Sequence, residues 1–246
     1  MSTLKRIDID HLKVSCTDCT LRELCFPNGM NDEELVNMDA VVEQPKPIHK
    51  NDYLYHDGDN AVALYAVRSG CVKTMAESAN GEEQIVGFHL PGEICGLDGF
   101  GEGVHTCNAV ALETSSICEL PLDKLESYCA RIPGLQRQMR RIMGKEVSSD
   151  HKLLLLLGKM TSEERLASFL LSLSSRMHER QWSAEAFNLN MPRQDIANYL
   201  GMAVETVSRL FASFQSQKII EVDRRHITIL DMKRLKLMVG ECESKS

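Results

Sequence analysis

The sequence predicts an α+β chain: a glycine-punctuated β domain in front, one long helix, and a C-terminal helix-turn-helix. Three observations carry this prediction. Nine of the 15 glycines lie between Gly58 and Gly103, spaced among short runs rich in Val, Ile, Tyr and Leu. One apolar stripe runs from Leu135 to Leu157, mostly in steps of three or four residues. Small and apolar residues around Gly201 are placed as two helices crossing at a tight turn would require. The length of 246 residues suits one large domain or two ordinary ones, and 43% apolar with 26% charged residues is ordinary for a folded chain with a core.

Residues 1–30 show little periodicity and hold three cysteines within ten residues, Cys16, Cys19 and Cys25. Asn31-Asp32-Glu33-Glu34-Leu35 reads as a capped helix start running to about Val42, with Pro45 and Pro47 ending it. The β segments follow between turn signals: Tyr53 to Tyr55, Ala63 to Val67, Cys71 to Met75, Ile85 to Phe88, Ala109 to Leu112 and Ile117 to Leu120. Strands this short at this spacing predict a sandwich or barrel.

Pro133 opens the long helix, which from Gly134 to Leu157 would be about 36 Å long. Its stripe carries Leu135, Met139, Ile142, Met143, Val147, Leu154 and Leu157, and Arg137, Arg140, Arg141 and Lys145 lie opposite. A stripe that outruns the domain it would cover points to a two-helix dimer seam as readily as to a core helix. Asp150 falls on it, where a buried carboxylate is costly unless paired. Asp150 is therefore either at the stripe's edge or a weakener of association. Thr161 with Glu164 forms a capping box that starts a further helix.

Residues 193–212 carry the most specific pattern. Pro192 suits a first helical turn. Ile196, Ala197 and Leu200 form an inner face, and Gly201 permits the turn. A second helix from about Val204 turns Val204, Val207, Leu210 and Phe211 inward. Ile219 to Val222 and Ile227 to Ile229 then flank a basic turn, a wing whose Arg224 and Arg225 would reach phosphate. The second helix would enter a major groove with Glu205, Thr206, Ser208 and Arg209 exposed. Arg209 can pair with guanine, Glu205 can accept from cytosine, and Ser208 is permissive. On a solvated face Glu205 and Arg209 would form an i,i+4 ion pair, and both readings can hold together.

The net charge of −7 argues against a nucleic-acid binder until it is divided. Residues 1–130 carry −13 and residues 131–246 carry +6, so the rear half is the one suited to phosphate. The N-terminus has no apolar signal core, and the longest apolar run, Ala61 to Val67, is too short for a bilayer. The expectation is a cytoplasmic chain without a membrane partner, whose nine cysteines stay reduced. Three clustered thiols and one remote thiol can supply four thiolates, which suit zinc or an iron–sulfur cluster, and spacing alone does not choose. No G-x-S-x-G, H-E-x-x-H or P-loop pattern is present, so an enzyme is not expected.

The sequence resembles the CRP/FNR transcription regulators, specifically their FNR branch. The likeness covers nearly the whole chain. It rests on Cys16-x-x-Cys19-x5-Cys25, on Leu112-Glu113-Thr114-Ser115-Ser116-Ile117-Cys118-Glu119, and on Val204-Glu205-Thr206-Val207-Ser208-Arg209. It implies an N-terminal β-roll (jelly-roll-like) sensor domain, a long dimerisation helix and a C-terminal winged helix-turn-helix. The implied boundaries are 1–30 for a cluster-binding segment, 31–132 for the β-roll, 133–160 for the dimerisation helix and 161–246 for the DNA-binding domain.

The resemblance also implies a 4Fe–4S cluster on Cys16, Cys19, Cys25 and Cys118, converted to 2Fe–2S by oxygen. Cys118 is chosen because it alone sits in the matching motif. The loaded homodimer would bind double-stranded promoter DNA at palindromic TTGAT…ATCAA half-sites, and oxygen would release it. RNA polymerase would meet the loop Glu77 to Gln84, Thr114 and Ser183. A cyclic nucleotide is not expected. The CRP-branch pocket uses a Glu and an Arg-Ser/Thr pair, whereas the matching positions here are Leu97 and Thr106, with no arginine from Val72 to Ala130. The remaining readings are a zinc-bound or cluster-free regulator and, in a different class, an iron–sulfur electron carrier.

Overall fold

The computed structural model describes residues 15–44 and 47–240. The expectations for residues 1–14, Pro45 and Cys242 fall outside these residues. The chain divides into two compact units. The first contains the described residues up to Thr74 together with Phe88–Met143, and the second contains Met75–Gly87 and the described residues from Gly144 on.

In the first unit, the capping box at Asn31 starts helix α1, Asp32–Asp39. The helix stops three residues short of the expected Val42. Val41 and Val42 leave the helix and are buried in the core. Six strands match the expected segments: β1 Tyr53–Tyr55, β2 Ala63–Ser69, β3 Val72–Glu77, β4 Glu83–His89, β6 Asn108–Ala111 and β7 Ser116–Pro121. Three elements were not expected: β5 Ile94–Cys95, a 3-10 turn Leu97–Phe100, and helix α2, Leu122–Arg131. The strands form two sheets, ordered β1-β6-β3-β4 and β5-β2-β7.

Strand β2 explains why its sequence is a continuous apolar run. Ala63, Tyr65 and Val67 point into a core shared with Tyr55, Val72, Ala109 and Ile117. Leu64 and Ala66 face the other way, into a second core with Phe26, Met38, Leu125, Leu135, Met139 and Ile142. A strand covered on both faces loses the alternation that marks a half-exposed one. The second core is built from α1, α2 and the start of the long helix α3, Pro133–Lys159.

The division between the units falls inside α3, between Met143 and Gly144. In the second unit the capping box on Thr161 is present, with the Glu164 N–H donating to Thr161 Oγ1 at 3.4 Å and the Thr161 N–H to Glu164 Oε2 at 2.7 Å. It starts α4, Ser162–Glu179. Then come α5 Arg193–Tyr199, α6 Val204–Ser216 and α7 Met232–Met238. The wing is a three-stranded sheet ordered β8-β10-β9, with β8 Ala186–Asn188, β9 Ile220–Asp223 and β10 His226–Ile229. Sequence reasoning found only the last two of these strands.

Candidate functional site

Three of the four singled-out cysteines come from one short segment, and the fourth comes from a strand about 100 residues away. The segment is a series of turns, closed by Cys19 N–H to Cys16 O at 3.3 Å and Cys25 N–H to Leu21 O at 3.2 Å. Cys118 lies on β7 opposite Ala66 of β2. Cys16, Cys25 and Cys118 all pack against the helix-covered core. Every pair among Cys16, Cys19, Cys25 and Cys118 is close enough to act on each other's charge.

Burial dominates their acidity. It pushes the Cys16 thiol up to about 12, with the Asp39 carboxylate adding to the effect. It pushes Cys118 up to about 11 against the opposing pull of Arg68, and it raises Cys25 further still. These groups are thiols unless a cation offsets the cost of ionising them together. Among the described residues, no three His, Cys, Asp or Glu side chains are set around a single metal ion.

Two residues that sequence reasoning missed hold this segment in place. Asp39, the last residue of α1, accepts from Ser15 Oγ, from the Cys16 N–H and, at 3.3 Å, from Thr17 Oγ1. Gln138 of α3 donates through Nε2 to the Cys25 carbonyl at 2.9 Å. Arg141 adds a bond to Asn28 Oδ1 at 3.1 Å, and Glu34 accepts from the Gly134 N–H at 2.9 Å. The cysteine segment is thus tied by hydrogen bonds to the base of the long helix. Gln138 left a signal: it is a polar residue on the apolar stripe, three positions after Leu135, and only 5% exposed.

The expected seam residues separate into two groups. Met139 and Ile142 are buried in the core of the first unit. Met143, Val147 and Leu154 are 43%, 54% and 68% exposed, Asp150 is exposed, and Leu157 is half-buried. Residues 143, 147, 150, 154 and 157 alternate steps of four and three, the repeat of a two-helix seam. Asp150 occupies one of those positions.

The helix-turn-helix has the expected geometry. Pro192 is the N-cap of α5, one position before the first turn where it was expected. Ala197 is buried at the crossing, and Gly201 adopts φ +59°. Val207 and Phe211 are inward, whereas Val204, expected inward, is 38% exposed at the start of α6. Glu205, Ser208 and Arg209 are exposed, and Thr206 is half-buried. The Arg209 guanidinium reaches Thr206 Oγ1 at 3.4 Å, and the Ser208 hydroxyl donates to Val204 O at 2.9 Å. Arg224 and Arg225 are exposed at the turn between β9 and β10, where Arg224 has φ +56°.

Arg165 was also missed. Its guanidinium joins the end of α3 to the turn of the reader, donating to Leu157 O at 2.8 Å, Met160 O at 3.0 Å and Leu200 O at 2.9 Å. A nearby prop is Arg193, whose guanidinium lies 3.3 Å from the centroid of the Phe211 ring; burial lowers its pKa to about 10. The loop between β3 and β4 belongs to the same unit. Asn198 of α5 accepts from the Ile85 N–H at 2.6 Å, donates to Glu83 O at 2.8 Å, and takes Gln84 Nε2 on its carbonyl at 2.8 Å. Thr114 and Ser183 are exposed.

Comparison with known proteins then places the chain. Residues 164–238 match the Crp-like helix-turn-helix domain, and residues 45–132 match the cyclic nucleotide-binding domain. The transcriptional activator protein Anr of Pseudomonas protegens is 44% identical over 230 residues, covering 94% of each chain. The chain belongs to the CRP/FNR family of transcription regulators. Within that family, the fumarate and nitrate reduction regulatory protein of Escherichia coli is 41% identical over 96% of this chain and 95% of its own. Among solved structures, FixK2 from Bradyrhizobium japonicum superposes with a TM-score of 0.74 at 29% identity, covering 80% of this chain and 97% of its own. This CRP/FNR member is therefore an anaerobic-type regulator with a DNA-binding helix-turn-helix domain. No helix among its described residues is long and apolar enough to cross a membrane.

Proposed function

We propose that this regulator responds to oxygen through a 4Fe–4S cluster held by Cys16, Cys19, Cys25 and Cys118, and that the loaded form is a homodimer on TTGAT…ATCAA-type promoter DNA. The observation that carries the reading is the gathering of Cys16, Cys25 and Cys118 on the core that also buries the base of α3, with Cys19 close enough to act on the charge of all three. The donor set fits the group. Cys16, Cys25 and Cys118, whose ionisation burial opposes, need a cationic partner, and with Cys19 they make the four-thiolate set that such a cluster takes. When bound, the cluster supplies the oxygen-labile chemistry.

The chain's own residues supply the response. Asp39 and Gln138 anchor the cysteine segment on both sides, so a change in that segment pulls on the start of α3. Beyond Met143 the helix presents Met143, Val147 and Leu154, with Leu157 half-buried, to a second copy, and Asp150 weakens that seam by setting like charge against like. In the dimer, two α6 helices would read half-sites through Glu205, Ser208 and Arg209, with Arg224 and Arg225 on phosphate. RNA polymerase would meet the loop after β3, Thr114 and Ser183. The roll binds no cyclic nucleotide on this reading, because no arginine from Val72 to Ala130 offers itself to the phosphate.

Anaerobic purification, with iron and sulfide measured and spectra taken before and after air, tests the proposal. The expected result is a coloured protein with iron and acid-labile sulfide in equal amounts, whose visible spectrum changes in air together with loss of promoter binding. A colourless protein with one zinc per chain would replace the mechanism by that of a zinc-stabilised regulator.

A further inference from the structure

We propose that Asp98 is a built-in ligand: residues 98–107 and Tyr55 form a cradle for a small oxyanion, and the chain fills it with its own carboxylate. Both oxygens of Asp98 are engaged twice. Oδ2 accepts from the Thr106 N–H at 2.9 Å and from the Cys107 N–H at 3.2 Å. Oδ1 lies 3.3 Å from the Tyr55 hydroxyl and 3.3 Å from His105 Nδ1. Two successive backbone N–H groups on one oxygen are the donor arrangement of anion-binding backbone concavities. Four donors match the four lone-pair positions of a carboxylate.

The donors are fixed before any anion arrives. The His105 side chain has no exposed surface, and its ring stacks on Tyr55 at 3.6 Å with planes 10° apart. Gly99 closes the other side, where a Cβ would lie 2.4 Å from the Ala61 Cβ and 3.1 Å from His105 Nδ1. Burial first, then the nearby Cys95 and Asp98, push the Tyr55 phenol far up, so it stays an O–H donor. His105 Nε2 is buried without a hydrogen-bond partner, a polar atom on an immobile ring that core packing alone does not call for. Asp98 itself is 19% exposed, so the cradle opens to solvent on the carboxylate's side.

A tethered carboxylate is present at an effective concentration of roughly millimolar or above, which a diffusible anion must exceed to displace it. The roll is therefore kept in its filled arrangement without a small-molecule ligand. This is independent of the cysteine centre.

The test is Asp98→Ala, which removes the carboxylate and leaves the donors. Thermal unfolding is followed with sodium formate, the excised group, and with inorganic phosphate, each against sodium chloride at equal ionic strength. The midpoint of D98A should rise saturably by ~3 °C with half-effect in the millimolar range, while the unsubstituted protein shows no such rise. A response to formate alone defines a carboxylate cradle, and a response to both defines a general oxyanion site. A midpoint that moves no more than that of the unsubstituted protein overturns the proposal. Should D98A give no folded protein, D98N keeps the shape without the charge. Hydrogen exchange at the Thr106 and Cys107 amides should then quicken about tenfold, and unchanged exchange would overturn the proposal equally.

Discussion

Asp39 stands at the C-terminal end of α1, where the helix dipole disfavours a carboxylate, yet it takes three donors from residues 15–17. Burial raises its pKa, but the bonds from Ser15, Cys16 and Thr17 outweigh that and hold the carboxyl below the usual range. A depressed carboxylate contributes stability that is complete above the unfolded value and is lost as pH falls through the lower folded value. Asp39→Asn should therefore loosen the cysteine segment of the metal-free protein at neutral pH by about 1–2 kcal/mol. Hydrogen exchange at the Cys16 amide reads this as roughly tenfold faster exchange, and the difference from the parent should vanish below the acid transition. The reader residues separate by what they would touch. Arg209→Ala should cost about 1–3 kcal/mol on the palindrome and little on unrelated DNA. Arg224→Ala should weaken all sequences alike and reduce the salt slope by about one per monomer. Titrations at several salt concentrations distinguish the two, and equal losses on both DNAs for Arg209→Ala would remove it from base reading.

At the scale of elements, the chain pattern announced most of the parts but not their covering. The capping boxes at Asn31 and Thr161 and the left-handed Gly201 follow from local chemistry, and each appears where its residues place it. Helix α2 was missed although Leu122, Leu125 and Tyr128 have helical spacing, and Pro121, the last residue of β7, is its N-cap. Strands β5 and β8, two and three residues long, carry too few side chains to show a period. The long helix was predicted to have one stripe, and it has one. Its first turns, with Leu135, Met139 and Ile142, are buried in the core of the first unit, whereas Met143, Val147 and Leu154 further along are exposed. Arg165 makes the joint after α3 rigid, since one planar fork bonds carbonyls on both sides of it. Arg165→Ala should cost about 2 kcal/mol in urea unfolding and expose the Met202 amide, which bonds Ala197 O at 2.9 Å, to faster exchange. Arg165→Lys should not rescue it, because an ammonium cannot span the same carbonyls.

For the molecule as a whole, the −7 resolves into an acidic front and a basic rear, and even the rear is modest: residues 192–230 hold five Lys and Arg against four acids. Attraction of one copy to phosphate is weak on that balance, so doubling the contacts by pairing two copies matters more than it would for a strongly basic protein. On the proposed reading, pairing is the control point and Asp150, exposed on the repeat, is its brake. Metal-free Asp150→Ala should be shifted toward dimer in sedimentation at a concentration where the parent is monomeric. Indistinguishable sedimentation would show that Asp150 is no brake. Strand and helix periods, caps, turn glycines and the reading helix were settled by neighbours along the chain, since those signals depend on residues three or four positions apart. Folding had to decide which distant cysteine approaches the N-terminal three, that Asp39 and Gln138 clamp that segment, and that Met139 and Ile142 belong to a core while Val147 and Leu154 stay bare. Those outcomes depend on contacts such as Thr17 to Asp39, 22 positions apart, and Gln138 to Cys25, 113 apart, and no local period records such contacts.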